Sequence, residues 1–199
     1  MPRENFKAQM KLLEDNGYNT ITPDELLAYL DHKASLPSKP VLLTFDDGTA
    51  SQSINAVPVL QQYNFKAVFF IMTVSLNRSI YMSTQQVKQL SNEGFIIGAH
   101  TWDHHNVTGY RNADWKVQLE TPKHQLEQIT NKPVEYFAYP NGTWNEAAIV
   151  QLKNYGYKVA FQLAGRQSTI NTKYTIRRII VDGNWNTKQF LDAIQHSFK

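Results

Sequence analysis

The chain has 199 residues, 42% of them hydrophobic and 12% aromatic, which is enough to bury one substantial core and reads most simply as a single domain over residues 1–199. No apolar run approaches membrane-spanning length, and the absence of cysteine excludes disulfides and thiolate zinc sites, leaving only nitrogen and oxygen ligands for a metal. The formal net charge is +3, with Lys and Arg scattered and only Arg177 and Arg178 adjacent, so no extended basic face is available for a nucleic acid.

The chain opens on Met-Pro-Arg-Glu-Asn, which lacks the basic-then-apolar pattern of a secretion signal. Two readings follow, a cytosolic protein or residues that stand after other sequence, and the second is favoured. Phe6, Met10 and Leu13 at i, i+4 and i+7, with Gly17 as a stop, predict a helix over 4–16. Thr22-Pro-Asp-Glu25 is a capping box with proline at the first helical position, opening a second helix through Leu30. Pro37 and Pro40 then break the chain into Val41-Leu-Leu-Thr-Phe-Asp-Asp-Gly48, an apolar strand stopped by two carboxylates and a glycine. An irregular helix containing Pro58 is expected over 53–63, and a strand over 66–72. A helix from Ser83 closes at Gly94, Phe95 to Ala99 is a strand running into His100, and a polar helix carries Leu119, Leu126 and Ile129. Strands are expected at 136–139, 158–163 and 176–181, with a helix from Asn145 to Gly156 between the first two and an amphipathic helix from Thr187 to Phe198 at the end. Six apolar strands joined by helices predict an α/β fold with a parallel sheet, closed or nearly closed into a barrel.

Polar residues gather where those strands end: Asp46 and Asp47 after the first, His100 after the third, Tyr139 at the fourth, Asp182 at the sixth. Adjacent carboxylates at the mouth of an apolar strand repel one another and resist desolvation, so they require a compensating cation. His100-Thr-Trp-Asp-His104 offers two imidazoles at i and i+4, which share a face if the segment turns helically. Alone, that spacing also fits two unrelated surface histidines. Joined to Asp47, it makes a set of two nitrogens and one oxygen with open positions, suited to one divalent ion, most simply zinc. His105 reads as a bystander, and His32 and His124 as surface residues. Trp102, Tyr110, Trp144 and Trp185 lie in loops near the mouth, where flat rings could stack on a ligand or serve the core.

Thr44-Phe-Asp-Asp-Gly48 followed by His100-Thr-x-x-His104 resembles the polysaccharide deacetylase family, the NodB homology domain of carbohydrate esterases, over essentially the whole chain. The resemblance implies a distorted, incomplete (β/α) barrel with parallel strands, Asp46 as catalytic base, and Asp47, His100 and His104 as ligands of the metal. Phe137-Ala-Tyr-Pro-Asn-Gly142 resembles the family's third motif, which implies an oxyanion-stabilising role for the Tyr139 main-chain N–H. The arginine that usually precedes that motif and pairs with the base is replaced here by Val134, Glu135 and Tyr136, and Arg178 is the substitute. Asn5 to Met10, Asn16-Gly-Tyr18, Ile21 to Leu26 and Leu36 to Pro40 resemble the subgroup of poly-N-acetylglucosamine deacetylases, in which the strand carrying the general-acid histidine lies ahead of these helices.

The implied function is metal-dependent removal of N-acetyl groups from an N-acetylglucosamine-containing polysaccharide, at the cell surface or outside the cell. An O-acetyl esterase and a non-catalytic glycan-binding domain are the alternatives. Ile194-Gln-His196 matches the family's usual acid position, but it falls on the polar side of the last helix. The acid is therefore expected upstream of Met1, leaving six strands where about seven would close the barrel and an open edge that invites self-association.

Overall fold

A computed structural model describes residues 1–197. Its first layer is built by local signals. Helix α1 (Arg3–Asp15) buries Phe6, Met10 and Leu13 and ends where Gly17 takes φ +69°. A two-residue strand, β1 (Asn19–Thr20), was not expected; it pairs in parallel with β2 (Pro40–Val41). Between them, α2 (Pro23–Leu30) starts on a complete capping box, with Thr22 and Glu25 each satisfying the other's main-chain N–H.

The expected strand at 41–45 is split. Pro40–Val41 belongs to the small sheet, and only β3 (Thr44–Phe45) joins the main one, pairing with β4 (Val68–Ile71). The backbone thus changes partner across Leu42 and Leu43, which a hydrophobic run alone does not reveal. Helix α3 (Val57–Gln62) follows a wide π-helical turn, Gln52–Ala56. Proline lacks an N–H and its ring collides with the carbonyl four residues back, so the extra residue accommodates Pro58. The same device recurs before Pro122, where the π-turn Lys116–Glu120 leads into α5 (Thr121–Thr130). Between them lie α4 (Thr84–Asn92), capped by Ser83 and Gln86, and β5 (Ile96–Ala99). Then come β6 (Tyr136–Ala138), α6 (Glu146–Asn154) on its Asn145 cap, and β7 (Val159–Phe161). Helix α7 (Thr187–His196) closes the described chain, and Phe198, expected on its apolar face, lies outside the described residues.

The five strands β3 to β7 stand side by side in sequence order, all parallel. Such a sheet is covered on both faces, and its strands read as continuous apolar runs, as the wholly buried Val68 to Ile71 does. Alternate residues sort into two cores. Phe69, Ile71, Ala99, Phe137 and Ala160 pack toward the helices, whereas Val68, Phe70, Tyr136, Ala138, Val159 and Phe161 fill the concave side with Leu26 and Leu27 of α2. The sheet is therefore a curled half-barrel whose floor is plugged by α2. The expected sixth strand is reduced to a parallel bridge from Ile176 to Phe161, continued by an Arg178 N–H to Leu163 carbonyl bond of 3.4 Å. The edge at 41–46 and the edge at 176–181 do not meet; they bound a cleft of about 660 Å³.

Candidate metal centre

The site is built at the carboxyl ends of β3, β5 and β6. Asp47 and Gly48 both adopt left-handed backbone, φ +72° and +75°, which ends β3 abruptly and sends the two aspartates in different directions. Aspartate is among the few side chains that tolerate this region. Asp46 meets Arg178 in a two-pronged ion pair, with Nη1 to Oδ1 at 2.7 Å and Nη2 to Oδ2 at 2.8 Å. The guanidinium is fixed in turn by Thr44 Oγ1 at 3.0 Å and the Gln162 carbonyl at 3.2 Å, and lies over the Phe70 ring. The expected substitute arginine is thus in contact with the expected base, delivered from the far edge of the half-barrel.

Asp47 faces the histidines instead. Its Oδ1 lies 3.4 Å from His100 Nε2 and 3.5 Å from His104 Nε2, and one ligand atom from each of the three residues falls within 4.8 Å of the others. His100 is buried and its Nδ1 hydrogen-bonds the Ala138 carbonyl at 2.7 Å, which fixes the ring and leaves Nε2 facing the cluster. The segment between the histidines is not helical: Thr101 and His104 take φ +64° and +67°, and the Thr101 hydroxyl accepts the His104 N–H at 2.9 Å. The rings converge through this strained turn, with centroids 4.8 Å apart. The neighbouring His100 holds the Asp47 carboxyl below the ordinary carboxylate range, against the opposing effect of burial. Burial, helped by the proximity of His100, lowers the pKa of His104. An ionised carboxylate and a neutral imidazole are the states that donate to a cation. Two borderline nitrogens and one hard oxygen in one cluster fit a divalent transition metal with open coordination positions.

Residues 33–160 match the family described as polysaccharide deacetylase. The chain belongs to the polysaccharide deacetylase family. It is 29% identical over 191 residues to YxkH of Bacillus subtilis strain 168, covering 96% of this chain and 68% of that protein. It is 26% identical to the poly-β-1,6-N-acetyl-D-glucosamine N-deacetylase of Escherichia coli K12, over 95% of this chain but only 34% of that enzyme's length. Among solved structures, BC0361, a polysaccharide deacetylase from Bacillus cereus, superposes with a TM-score of 0.83 at 27% identity, over 96% of this chain and 61% of that one.

Other residues of this deacetylase chain fall differently from expectation. The Tyr139 N–H does not point free into the site: it donates to the Phe161 carbonyl at 2.9 Å as the last rung between β6 and β7. An amide engaged in the ladder is not available to an oxyanion, which corrects its expected role. Its phenol is buried without a partner, and burial raises its pKa. Two residues on, past Pro140, Asn141 is exposed in left-handed conformation, φ +56°, and among the described residues its N–H meets no acceptor. His196 lies exposed on α7 with its ring bonded to the Asp192 carbonyl of its own helix, and contributes nothing to the site. His32 and His124 are exposed, and His105 pairs with Asp103 at 2.8 Å. Asp182 accepts the Asn184 N–H in a turn. Tyr110 is core, while Trp144 donates to Gln162 at 3.2 Å. Among the described residues, no helix is long and apolar enough to cross a membrane.

Proposed function

We propose that this chain is a metal-dependent N-deacetylase of an N-acetylglucosamine-containing polysaccharide, poly-N-acetylglucosamine or peptidoglycan, working at the cell surface or outside the cell. The observation that carries the reading is the division of labour at the end of β3, where Asp47 joins His100 and His104 while the adjacent Asp46 is held apart by Arg178. The 26% identity to poly-β-1,6-N-acetyl-D-glucosamine N-deacetylases over nearly the whole chain supports the choice of polymer.

Bound by Asp47, His100 and His104, a divalent ion such as zinc supplies Lewis acidity toward the acetamide carbonyl and the attacking water. Asp46 stands beside that set, its Oδ2 3.9 Å from His100 Nε2, and takes the proton of the water as it attacks. Arg178 keeps the carboxylate from swinging toward the histidines. The unengaged Asn141 N–H is the main-chain donor we assign to the developing oxyanion. The departing amine must leave protonated, and the proton gained by Asp46 is the one the described residues can return to it.

The test is acetate release by zinc-loaded protein from poly-N-acetylglucosamine, peptidoglycan and an O-acetylated glycan. Release from an N-acetylated polymer is expected. Release from the O-acetylated glycan alone would replace this reading with an esterase, and tight glycan binding without acetate would replace it with a binding domain.

A further inference from the structure

We propose that Gln118 is a positioning residue for the metal site, acting through the turn that presents His104; the inference rests on the metal-dependent reading above. The three expected ligands are not equally secured. His100 directly follows β5 and is bonded to Ala138, and Asp47 lies two residues past the end of β3. His104 depends on the turn 101–104, which contains a buried β-branched residue, Thr101, at φ +64°. Conformations of this kind persist only where the surroundings over-determine them.

The restraint from outside the turn falls on Trp102, between the strained residues. Its N–H donates to Gln118 Oε1 at 3.1 Å, and its carbonyl accepts the Val74 N–H at 2.8 Å. Gln118 is buried, with only 7% of its surface exposed. Tyr110, which donates to the His105 carbonyl at 2.6 Å, has its hydroxyl 3.4 Å from the same Oε1. One buried side chain therefore holds the Trp102 peptide N–H, in the segment between the two histidines, and meets the tyrosine that holds the carbonyl just after it.

The backbone is shaped to deliver it. Gln118 is the centre of the π-turn Lys116–Glu120 and lies four residues before Pro122, so its carbonyl is the one the proline ring would strike in a regular helix. The wider turn relieves that collision. The other π-turn repeats the arrangement at the other ligand-bearing loop: Gln52, its first residue, donates to the Asp46 carbonyl at 2.6 Å. π-turns are frequent at functional sites.

The experiment measures zinc affinity of the full chain by competition with a chromophoric chelator, the visible spectrum of the cobalt-substituted protein, and the unfolding midpoint of the metal-free form, for the unaltered protein and Gln118→Met. Methionine keeps the volume and removes the hydrogen bonds. Zinc binding should weaken about 10- to 100-fold, the usual effect of losing an outer partner of a metal ligand, and the cobalt spectrum should change. Affinity within about 2-fold and an unchanged spectrum would overturn the proposal, even with a lowered metal-free midpoint, because that pattern marks packing alone. Should the variant not fold, hydrogen exchange on the unaltered protein decides: a protected Trp102 amide is required, and fast exchange there overturns the inference. Zinc bound by the unaltered protein and lost in His104→Ala establishes the metal reading separately, so unchanged affinity in Gln118→Met then refutes only the role of the glutamine. Absence of zinc binding by the unaltered protein refutes both.

Discussion

Asp46 and Asp47 are neighbours in sequence with opposite partners, and a conservative change separates their roles. Asp46→Asn should retain stoichiometric zinc and lose acetate release by a factor of about 10² to 10⁴, the usual contribution of a general base. Asp47→Asn should bind zinc more weakly, as measured by the same chelator competition. Exchanged phenotypes would exchange base and ligand. A less direct residue is Gly98 in β5: a Cβ there would lie 2.5 Å from the Phe70 ring and 2.9 Å from the Tyr136 carbonyl. Since Phe70 lies beneath Arg178, Gly98→Ala should destabilise by about 1–3 kcal/mol in chemical unfolding and lower activity as well. Full stability would show that the ring has room to shift. The candidate metal cluster was legible because two histidines four apart, joined to a double aspartate after an apolar run, have few other uses. Arg178 was reachable only by asking what replaces a missing arginine. Gln52 and Gln118 were not legible, since a glutamine within a helical stretch carries no local signal of what it meets across the fold.

Helix α2 shows how much of an element is written locally and how much is not. Thr22-Pro-Asp-Glu25 specifies its start, and the capping box forms as read. Its place on the floor of the half-barrel depends instead on distant partners: Asp24 accepts the Tyr136 hydroxyl at 2.5 Å, Asp31 pairs with Lys173, and Glu25 pairs with Lys66 at 2.9 Å. The Lys66 ammonium beside it, with the Thr22 N–H, holds the Glu25 carboxyl below its ordinary range. A depressed folded pKa contributes stability above the unfolded value of about 4.3, and that contribution is lost as the pH falls through the lower folded value. Glu25→Gln keeps an acceptor for the cap but removes the charge. At pH 7 it should lower stability by up to about 1 kcal/mol, as expected of a solvent-screened pair, and the deficit should vanish at acidic pH once Glu25 in the unaltered protein is protonated. A deficit equal at both pH values would mean that the cap, not the charge, carries the effect. The π-turns were foreshadowed only as an irregularity at Pro58, and β1 was missed because two residues leave no periodicity to detect.

At the scale of the molecule, the parallel α/β sheet followed from the alternation of apolar runs with helical patterns, whereas its curvature and open side did not. Whether 176–181 becomes a full strand depends on a neighbour beyond it, and here its ladder is reduced to the parallel bridge from Ile176 to Phe161 of β7. The half-barrel therefore closes across its mouth by side chains: Arg178 to Asp46 from one edge to the other, and Asp47 to His100 and His104 from β3 past β4 to β5. A metal at the second of these would tie two strands that are not neighbours, and an ion that binds the folded chain alone stabilises it by mass action. At free zinc about 100-fold above the dissociation constant, the gain is about 2.7 kcal/mol. For a chain of this length each kcal/mol moves the thermal midpoint by about 2–4 °C, so chelation should lower the midpoint by roughly 5–10 °C. In His104→Ala the difference between zinc-loaded and chelated samples should largely disappear, because the ligand set is broken in both. Equal midpoints with and without zinc in the unaltered protein, at saturating metal, would mean that no ion joins β3 to β5.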